Sequence, residues 1–361
     1  MIVLAIESTC DETGCAIAEN FGKGVRVLAD VKASSAEVHA KYGGVIPEIA
    51  AREQIAAIIP VITEAMERAG VNAKEIEAIA VTQGPGLIGS LLIGVETAKA
   101  LAMAWKKPLI AVNHMAAHVF ANWIQPNSTI RGVHSATSEE EFRGTPELPA
   151  VALIVSGGHT DIMLIASLTD WEWVGGTRDD AAGEAFDKAA RAMGFPYPGG
   201  AMMAKAAGEA SIDLPTEMKL PRPMIHEDNL EMSFSGLKTA LVEVMKSPAF
   251  AEATARSSRE QIINSLAREF NQAVADVLIK KTMKAVEQYQ PKSVLLAGGV
   301  AANVTLRESL ARAVKETGKE FFCPGLKYCT DNAAMIAACA LLRPDYVNPL
   351  KLRPDPGLEV R

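Results

Sequence analysis

Asn113-His114-Met115-Ala116-Ala117-His118 sets two histidines four residues apart. On a helix that spacing puts both imidazoles on one face, close enough to grip one divalent metal. The same spacing also suits two partly buried histidines with no ion. Position favours the metal, because residues 108–112 just upstream read as a strand that delivers the helix start to the end of a sheet, where open α/β sheets keep their sites. The peptidase arrangement, in which a Glu follows the first histidine as general base, is missing: Met115 stands there. A zinc peptidase is therefore disfavoured.

Other chemistry-bearing residues sit in turns. Ser8-Thr9-Cys10-Asp11-Glu12-Thr13 reads as the polar tip of a hairpin, with Asp11 and Glu12 as candidates for an acid/base or water-ordering role; a solvated turn is the plainer reading. Ser156-Gly157-Gly158-His159-Thr160-Asp161 reads as a second such tip. Together with Gly298-Gly299 these turns supply amides, hydroxyls and bare backbone that suit a phosphate. They point to a bound nucleotide, with Asn303 placed to read an adenine or ribose edge.

The elements that must position these residues repeat. Each half reads as hairpin, long helix, strand, glycine turn, helix, strand, helix, so the pattern predicts an α/β chain of two duplicated lobes with a cleft between them. Residues 1–125 form the N-terminal lobe, 126–148 a polar surface loop or insertion, 149–342 the C-terminal lobe with its last helix from about 330, and 343–361 an extended tail. Pro47 opens an amphipathic helix that Gly70 closes and Pro60 should kink or break. If the halves face each other, the last helix start faces the histidine helix, which makes Asp331 the structural candidate for a third ligand. An Asp at a helix N-terminus also serves simply as a cap, and Thr330-Asp331-Asn332 allows Thr330 to cap while Asp331 turns to the metal. Two His and one carboxylate leave open coordination positions and suit Fe(II) or Zn(II).

The bulk numbers agree with an ordinary globular protein. At 361 residues and 49% hydrophobic content the chain is long enough for two lobes. No uninterrupted apolar run approaches the roughly 18 residues of a membrane span, and we expect a cytoplasmic protein with no membrane contact. Five cysteines without a C-x-x-C pair argue against a disulfide framework or zinc knuckle. A formal charge of -7 disfavours holding nucleic acid by bulk electrostatics.

Taken together, Ser8 to Thr13, Asn113 to His118, Val155 to Thr160, Gly183-Glu184-Ala185-Phe186-Asp187-Lys188, Tyr197-Pro198-Gly199-Gly200, Ser233 to Lys238 and Gly298 to Asn303 resemble the tRNA threonylcarbamoyladenosine transferase family, once labelled a sialoglycoprotein endopeptidase. The resemblance spans nearly the whole chain, the 126–148 insertion apart. It implies an actin-like, Hsp70-type ATPase fold. It also implies transfer of threonylcarbamoyl from its adenylate to N6 of the adenosine 3′ of the anticodon in tRNAs reading codons that begin with A. Carried over by position, His114, His118 and Asp331 would hold the metal, with iron as Fe(II) favoured over Zn(II). Ile154, Val155, Ser156, Gly157, Gly158, Asp187, Gly200 and Asn303 would hold the adenine nucleotide, threonylcarbamoyl-AMP or ATP. The implied partners are tRNA, a TsaB-like smaller paralogue and a TsaE-like P-loop ATPase, bacterial in type. Basic surface lent by those partners would reconcile a tRNA substrate with the acidic chain; Lys41, Arg52, Lys219, Arg222 and Lys327 are its own candidates for phosphate contact. Two other readings compete: an ATP-dependent phosphotransferase of the same fold, and a non-catalytic scaffold paralogue. The histidine pair with Asp331 speaks against the first and the intact ligand set against the second.

Overall fold

β1 (Ile2–Glu7) is buried on both faces after its first residue, as the central strand of a two-sided sheet must be. It pairs antiparallel with β2 (Glu12–Phe21), which pairs antiparallel with β3 (Gly24–Ser34). On its other edge β1 pairs parallel with β4 (Ala78–Gly84), and β4 pairs parallel with β5 (Leu109–Asn113). The computed structural model describes residues 1–35, 39, 45–125, 144–196 and 198–360. Lys41, Tyr42-Gly43-Gly44, Tyr197 and residues 126–143 of the expected insertion lie outside them.

A second sheet repeats the first. β6 (Ala150–Val155) pairs antiparallel with β7 (Thr160–Ser167) and parallel with β9 (Ser293–Ala297); β8 (Asp170–Gly176) lies beside β7 and β10 (Glu320–Phe322) beside β9. The orders β3-β2-β1-β4-β5 and β8-β7-β6-β9-β10 are the same, as the repeated pattern predicts. Each expected hairpin is in fact three strands, with β3 and β8 each adding one, although β3 alternates clearly in Val25-Arg26-Val27 and Ala29-Asp30-Val31-Lys32. The first sheet also gains an edge strand, β11 (Asp345–Val347), antiparallel to β5.

The chain divides into two compact units: Met1–Glu147 with Leu168–Asp170 and Pro324–Arg361, and Leu148–Ser167 with Trp171–Cys323. This differs from the expected boundary at 342. In the first unit α1 (Pro47–Ala69) covers β2 and β3, and α2 (Ile88–Trp105) packs on β4 and on α1. Pro60 does not break α1; it and Ala56, whose carbonyl loses its partner, both lie on the exposed side, where water can serve that oxygen. α2 is long and apolar enough by composition to cross a membrane, yet Leu91, Val95, Ala98 and Ala102 are buried in this unit. α3 (His114–Phe120) follows β5 directly.

In the second unit α4 (Ala182–Met193) and α5 (Gly199–Gly208) precede α6 (Ser235–Lys246) and α7 (Pro248–Arg256). The 31-residue α8 (Arg259–Tyr289) starts at a capping box made by Ser258 and Gln261, and α9 (Val304–Glu316) packs against it.

The last helix, α10 (Ala333–Leu342), belongs with the first unit, where it packs on β1, β2, β3 and α3. Nine of its ten residues are buried, six of them alanine or cysteine, so it can lie close to a sheet. Gly14 of β2 makes room: a Cβ there would stand 3.2 Å from the Ala333 nitrogen and 3.3 Å from its Cβ.

Candidate metal centre and nucleotide cradle

Three parallel strands, β1, β4 and β5, end side by side, and the segments beyond their ends build the first site. Asn113 closes β5 and caps α3, its Oδ1 accepting from the Ala116 amide at 3.0 Å. Its Nδ2 donates to the carbonyls of Leu358 (3.4 Å) and Glu359 (3.0 Å), so the C-terminal tail holds the cap from outside. Nearby, the Asp355 amide donates to the Gln83 carbonyl at 2.8 Å, and Gly84 lies so close to the Asp355 carbonyl that no side chain would fit. The first turn of α3 is thereby fixed from both ends.

His114 and His118 are buried, with rings 4.7 Å apart and nearly perpendicular. Their Nε2 atoms lie 3.4 and 3.3 Å from the same oxygen, Asp331 Oδ1. Among the described residues neither ring nitrogen of His118 has a hydrogen-bond partner, an arrangement a fully buried imidazole rarely tolerates. Ligands about 2.1 Å from one ion stand roughly 3.0–3.4 Å apart in octahedral or tetrahedral order, so the donor set fits a metal.

Asp331 is not the helix start that the sequence suggests. α10 begins at Ala333 and its cap is Asn332, whose Oδ1 accepts from the Met335 amide at 2.9 Å; neither Thr330 nor Asp331 caps it. This leaves the Asp331 carboxylate free to face the histidines. Nor is the cluster shared between two lobes: all three residues lie in the first unit, because α10 crosses back to it. Burial raises the Asp331 pKa, but the charge and hydrogen bond of His114 outweigh it and hold the carboxyl well below its usual value. Burial lowers His114, yet Glu7 and Asp331 reverse this and push it up to about 10, while burial keeps His118 lowered. The field at this point strongly favours a positive charge, which a divalent ion supplies. Glu7, whose Oε2 is 3.2 Å from His114 Nδ1, escaped the sequence reading; a lone acid ending an apolar strand is the only signal it gives.

Asp11 and Glu12 lie in the same unit. The Asp11 carbonyl accepts from the Ser35 amide at 3.1 Å and hydroxyl at 2.8 Å, which ties the tip to the end of β3. Glu12 Oε2 pairs with Lys32 Nζ at 2.8 Å. Burial raises the Glu12 pKa to about 7 despite Lys32, with Asp331 and Asp11 adding to the rise.

The expected nucleotide residues all fall in the second unit. Gly183 and Gly298 stand where a Cβ would strike the carbonyls of Ser156 and Val155, and Gly298 has φ +90. They bring the start of α4 and the turn after β9 against the 155–158 turn. Gly157, Gly158, Gly200 and Gly299 by contrast have open space where a side chain would be, so their backbone is not screened by neighbouring atoms. Asp187 Oδ1 accepts from the Gly200 amide at 3.2 Å and fixes the start of α5. Ile154 and Val155 are buried, so their side chains cannot touch a ligand. Asn303 is already engaged, its Oδ1 capping Leu306 at 3.1 Å and its Nδ2 donating to Asn271 at 2.6 Å. Of the cationic candidates, Lys219 pairs with Glu269 at 3.0 Å and Arg222 with Asp276 at 2.9 Å, while Lys327 lies over the Tyr328 ring. Lys219 and Arg222 serve the fold first.

A family profile described as TsaD, tRNA N6-adenosine threonylcarbamoyltransferase, matches residues 26–338. Curated proteins of that description include one from Moorella thermoacetica, 44% identical over 99% of this chain and 96% of its own. Another, from Geobacillus thermodenitrificans, is 44% identical with the same coverage, and one from Thermomicrobium roseum is 43% identical over 100% and 95%. Among solved structures, HypF from T. kodakarensis is 12% identical, covering 94% of this chain and 47% of its own with TM-score 0.54. Full-length HypF in its phosphate- and nucleotide-bound form gives 0.56 over 94% and 46%, also at 12% identity. The fold is thus the actin-like ATPase fold.

Proposed function

The chain belongs to the tRNA N6-adenosine threonylcarbamoyltransferase family and forms threonylcarbamoyladenosine in tRNA, and from that premise we propose how its residues divide the reaction. Threonylcarbamoyl passes from threonylcarbamoyl-AMP to N6 of adenosine 37 in tRNAs that read codons beginning with A. The acyl donor is a mixed anhydride, so the enzyme must orient it, polarise its carbonyl and stabilise departing AMP. The phosphotransferase reading gives way to this family membership.

The observation that carries the proposal is the convergence of His114 Nε2, His118 Nε2 and Asp331 Oδ1. These three would hold the metal, Fe(II) in preference to Zn(II). Bound there, it would supply Lewis acidity and a template for the acyl group. Glu12, with its pKa near 7, is matched to accept the proton that the adenosine amine must lose. The open backbone at Gly157 and Gly158 is assigned to the adenylate phosphate, while Asp187 holds the start of α5 beside it by accepting from the Gly200 amide. Asn303, its side chain engaged by the fold, contributes through its position after the Gly298 turn.

The partners are tRNA, a TsaB-like paralogue and a TsaE-like P-loop ATPase, and the site of action is the cytoplasm. Ile55 and Ile59 on α1 and Ile88 and Leu92 on α2 are exposed on two helices that pack together, which gives a protein partner an apolar face to cover. The test is to incubate the chain with these partners, threonylcarbamoyl-AMP and unmodified tRNA, then look for the modified nucleoside by mass spectrometry. Its formation only when this chain is present is the expected result. Transfer that proceeds equally without it would overturn the proposal.

A further inference from the structure

Glu7 is a carboxylate where the fold should least tolerate one. It is 1% exposed, at the end of a strand whose other residues are apolar, and an unpaired buried charge is strongly disfavoured. Among the described residues its ion-pair partner is His114, at 3.2 Å from Oε2 to Nδ1. The remaining lone pairs are also used. Oε1 accepts from the Thr9 amide at 2.7 Å and Oε2 from the Thr82 hydroxyl at 2.5 Å. The parallel register sets Ile6 beside Val81, which brings the Thr82 hydroxyl to the next position along. Thr9 Oγ1, at 3.5 Å from His114 Nδ1, completes the surroundings of that nitrogen.

We propose that Glu7 is the positioning residue of the metal centre: by accepting from His114 Nδ1–H it fixes the ring's tautomer and angle, so that Nε2 presents a bare lone pair toward His118 and Asp331. Hydrogen-bond direction sets the tautomer. Both Glu7 oxygens act as acceptors, so the proton between Glu7 and the ring sits on Nδ1, and Nε2 is left to ligate. A second carboxylate behind a ligating histidine also makes it a stronger donor, and loss of such a partner weakens metal affinity by about 10–100-fold. Glu7 does not touch the metal or the substrate; it acts through His114.

This role for Glu7 rests on the metal reading of the three ligands, and Co(II), whose visible absorption reports its coordination, separates the two. Chelator competition gives its affinity for the wild-type chain and for Glu7→Ala, Glu7→Gln and Thr82→Val, with circular dichroism melts as the check on folding. We expect affinity to fall about 10–100-fold in Glu7→Ala, less in Glu7→Gln, which keeps an acceptor oxygen, and least in Thr82→Val. Nitrogen-15 spectra of the Zn(II)-loaded chain should show the His114 Nδ1–H hydrogen-bonded in the wild type and that hydrogen bond lost in Glu7→Ala. If the wild type takes up no Co(II), the metal reading itself fails. If it does, and folded Glu7→Gln and Thr82→Val match it in affinity, spectrum and His114 hydrogen bond, Glu7 positions nothing, even should Glu7→Ala prove unable to fold.

Discussion

The two sheets share one strand order, yet the turns at matching places have opposite characters. After β1 the turn is packed: the Thr9 carbonyl accepts from the Leu87 amide at 2.8 Å, and Gly94 of α2 leaves no room beside the Ser8 hydroxyl. After β6 the turn is open, with nothing near Gly157 or Gly158. Charge follows the same division. Glu7, Asp11, Glu12 and Asp331 lie in the first unit, with Glu7 and Asp331 making a setting for a cation at His114, while the matching turn of the second unit carries open glycine backbone and no carboxylate from 155 to 160. The duplicated scaffold has kept its topology and exchanged its turn chemistry.

The largest effect should come from the cation side. Asp331→Ala or His114→Ala should abolish metal uptake and lower tRNA modification about 100-fold or more, while nucleotide affinity, measured by calorimetry, stays within a few-fold of wild type. Full transfer by a metal-free Asp331→Ala protein would break the division between the units. The open turn predicts the converse. Gly158→Val should leave the melting temperature unchanged, since the Cβ meets nothing, but weaken adenine nucleotide binding by roughly tenfold or more; metal content should not move.

Glu12 gives a pH signature next in size. Its neighbours are Lys32, Asp11 and Asp331, and its folded pKa of about 7 lies above the ordinary 4.5. The folded state therefore holds this proton more tightly than the unfolded chain does. Its stabilising effect is complete at acid pH and is lost as pH rises from about 4.5 to 7. Catalysis runs the other way, because only the deprotonated form accepts a proton. Single-turnover rates should rise through pH 7 in the wild type and lose that limb in Glu12→Gln, at a rate lower by about 100-fold. An unchanged pH profile in Glu12→Gln would leave the residue as a partner for Lys32 alone.

Much of this was readable in the residues themselves. The duplication, the histidine helix and the long helix from Arg259 to Tyr289 follow from periodicity and turns, and those signals are local. What escaped was decided at a distance. Asp331 joins the histidines in one unit because an alanine-rich helix fits closely on β1 to β3, and no local pattern tells which sheet an apolar helix will choose. Glu7 looks like any strand-ending acid until its register with β4 sets it beside Thr82. Asn303 was read as a ligand side chain because an Asn after a glycine turn suits both a cap and a base edge, and the fold has used it as a cap.

The smallest effect tests how Asp331 reaches its place. Gly14 faces the start of α10, and an added Cβ would stand 3.2 Å from the Ala333 nitrogen and 3.3 Å from its Cβ, closer than comfortable contact yet short of a collision. In Gly14→Ala the helix start must therefore give by a few tenths of an ångström, and Asp331 lies two residues before it. Overpacking of this kind costs about 1 kcal/mol or somewhat more, to be read as a lower denaturant midpoint. Because the added Cβ would meet the Glu7 Cβ only at an ordinary contact distance of 3.6 Å, the support behind His114 stays in place, so metal affinity should fall only a few-fold and nucleotide affinity not at all. A Gly14→Ala protein with lowered stability and unaltered Co(II) affinity would show that the approach of α10 to β2 serves the core of the first unit and that the loop at 330–332 sets the Asp331 carboxylate independently.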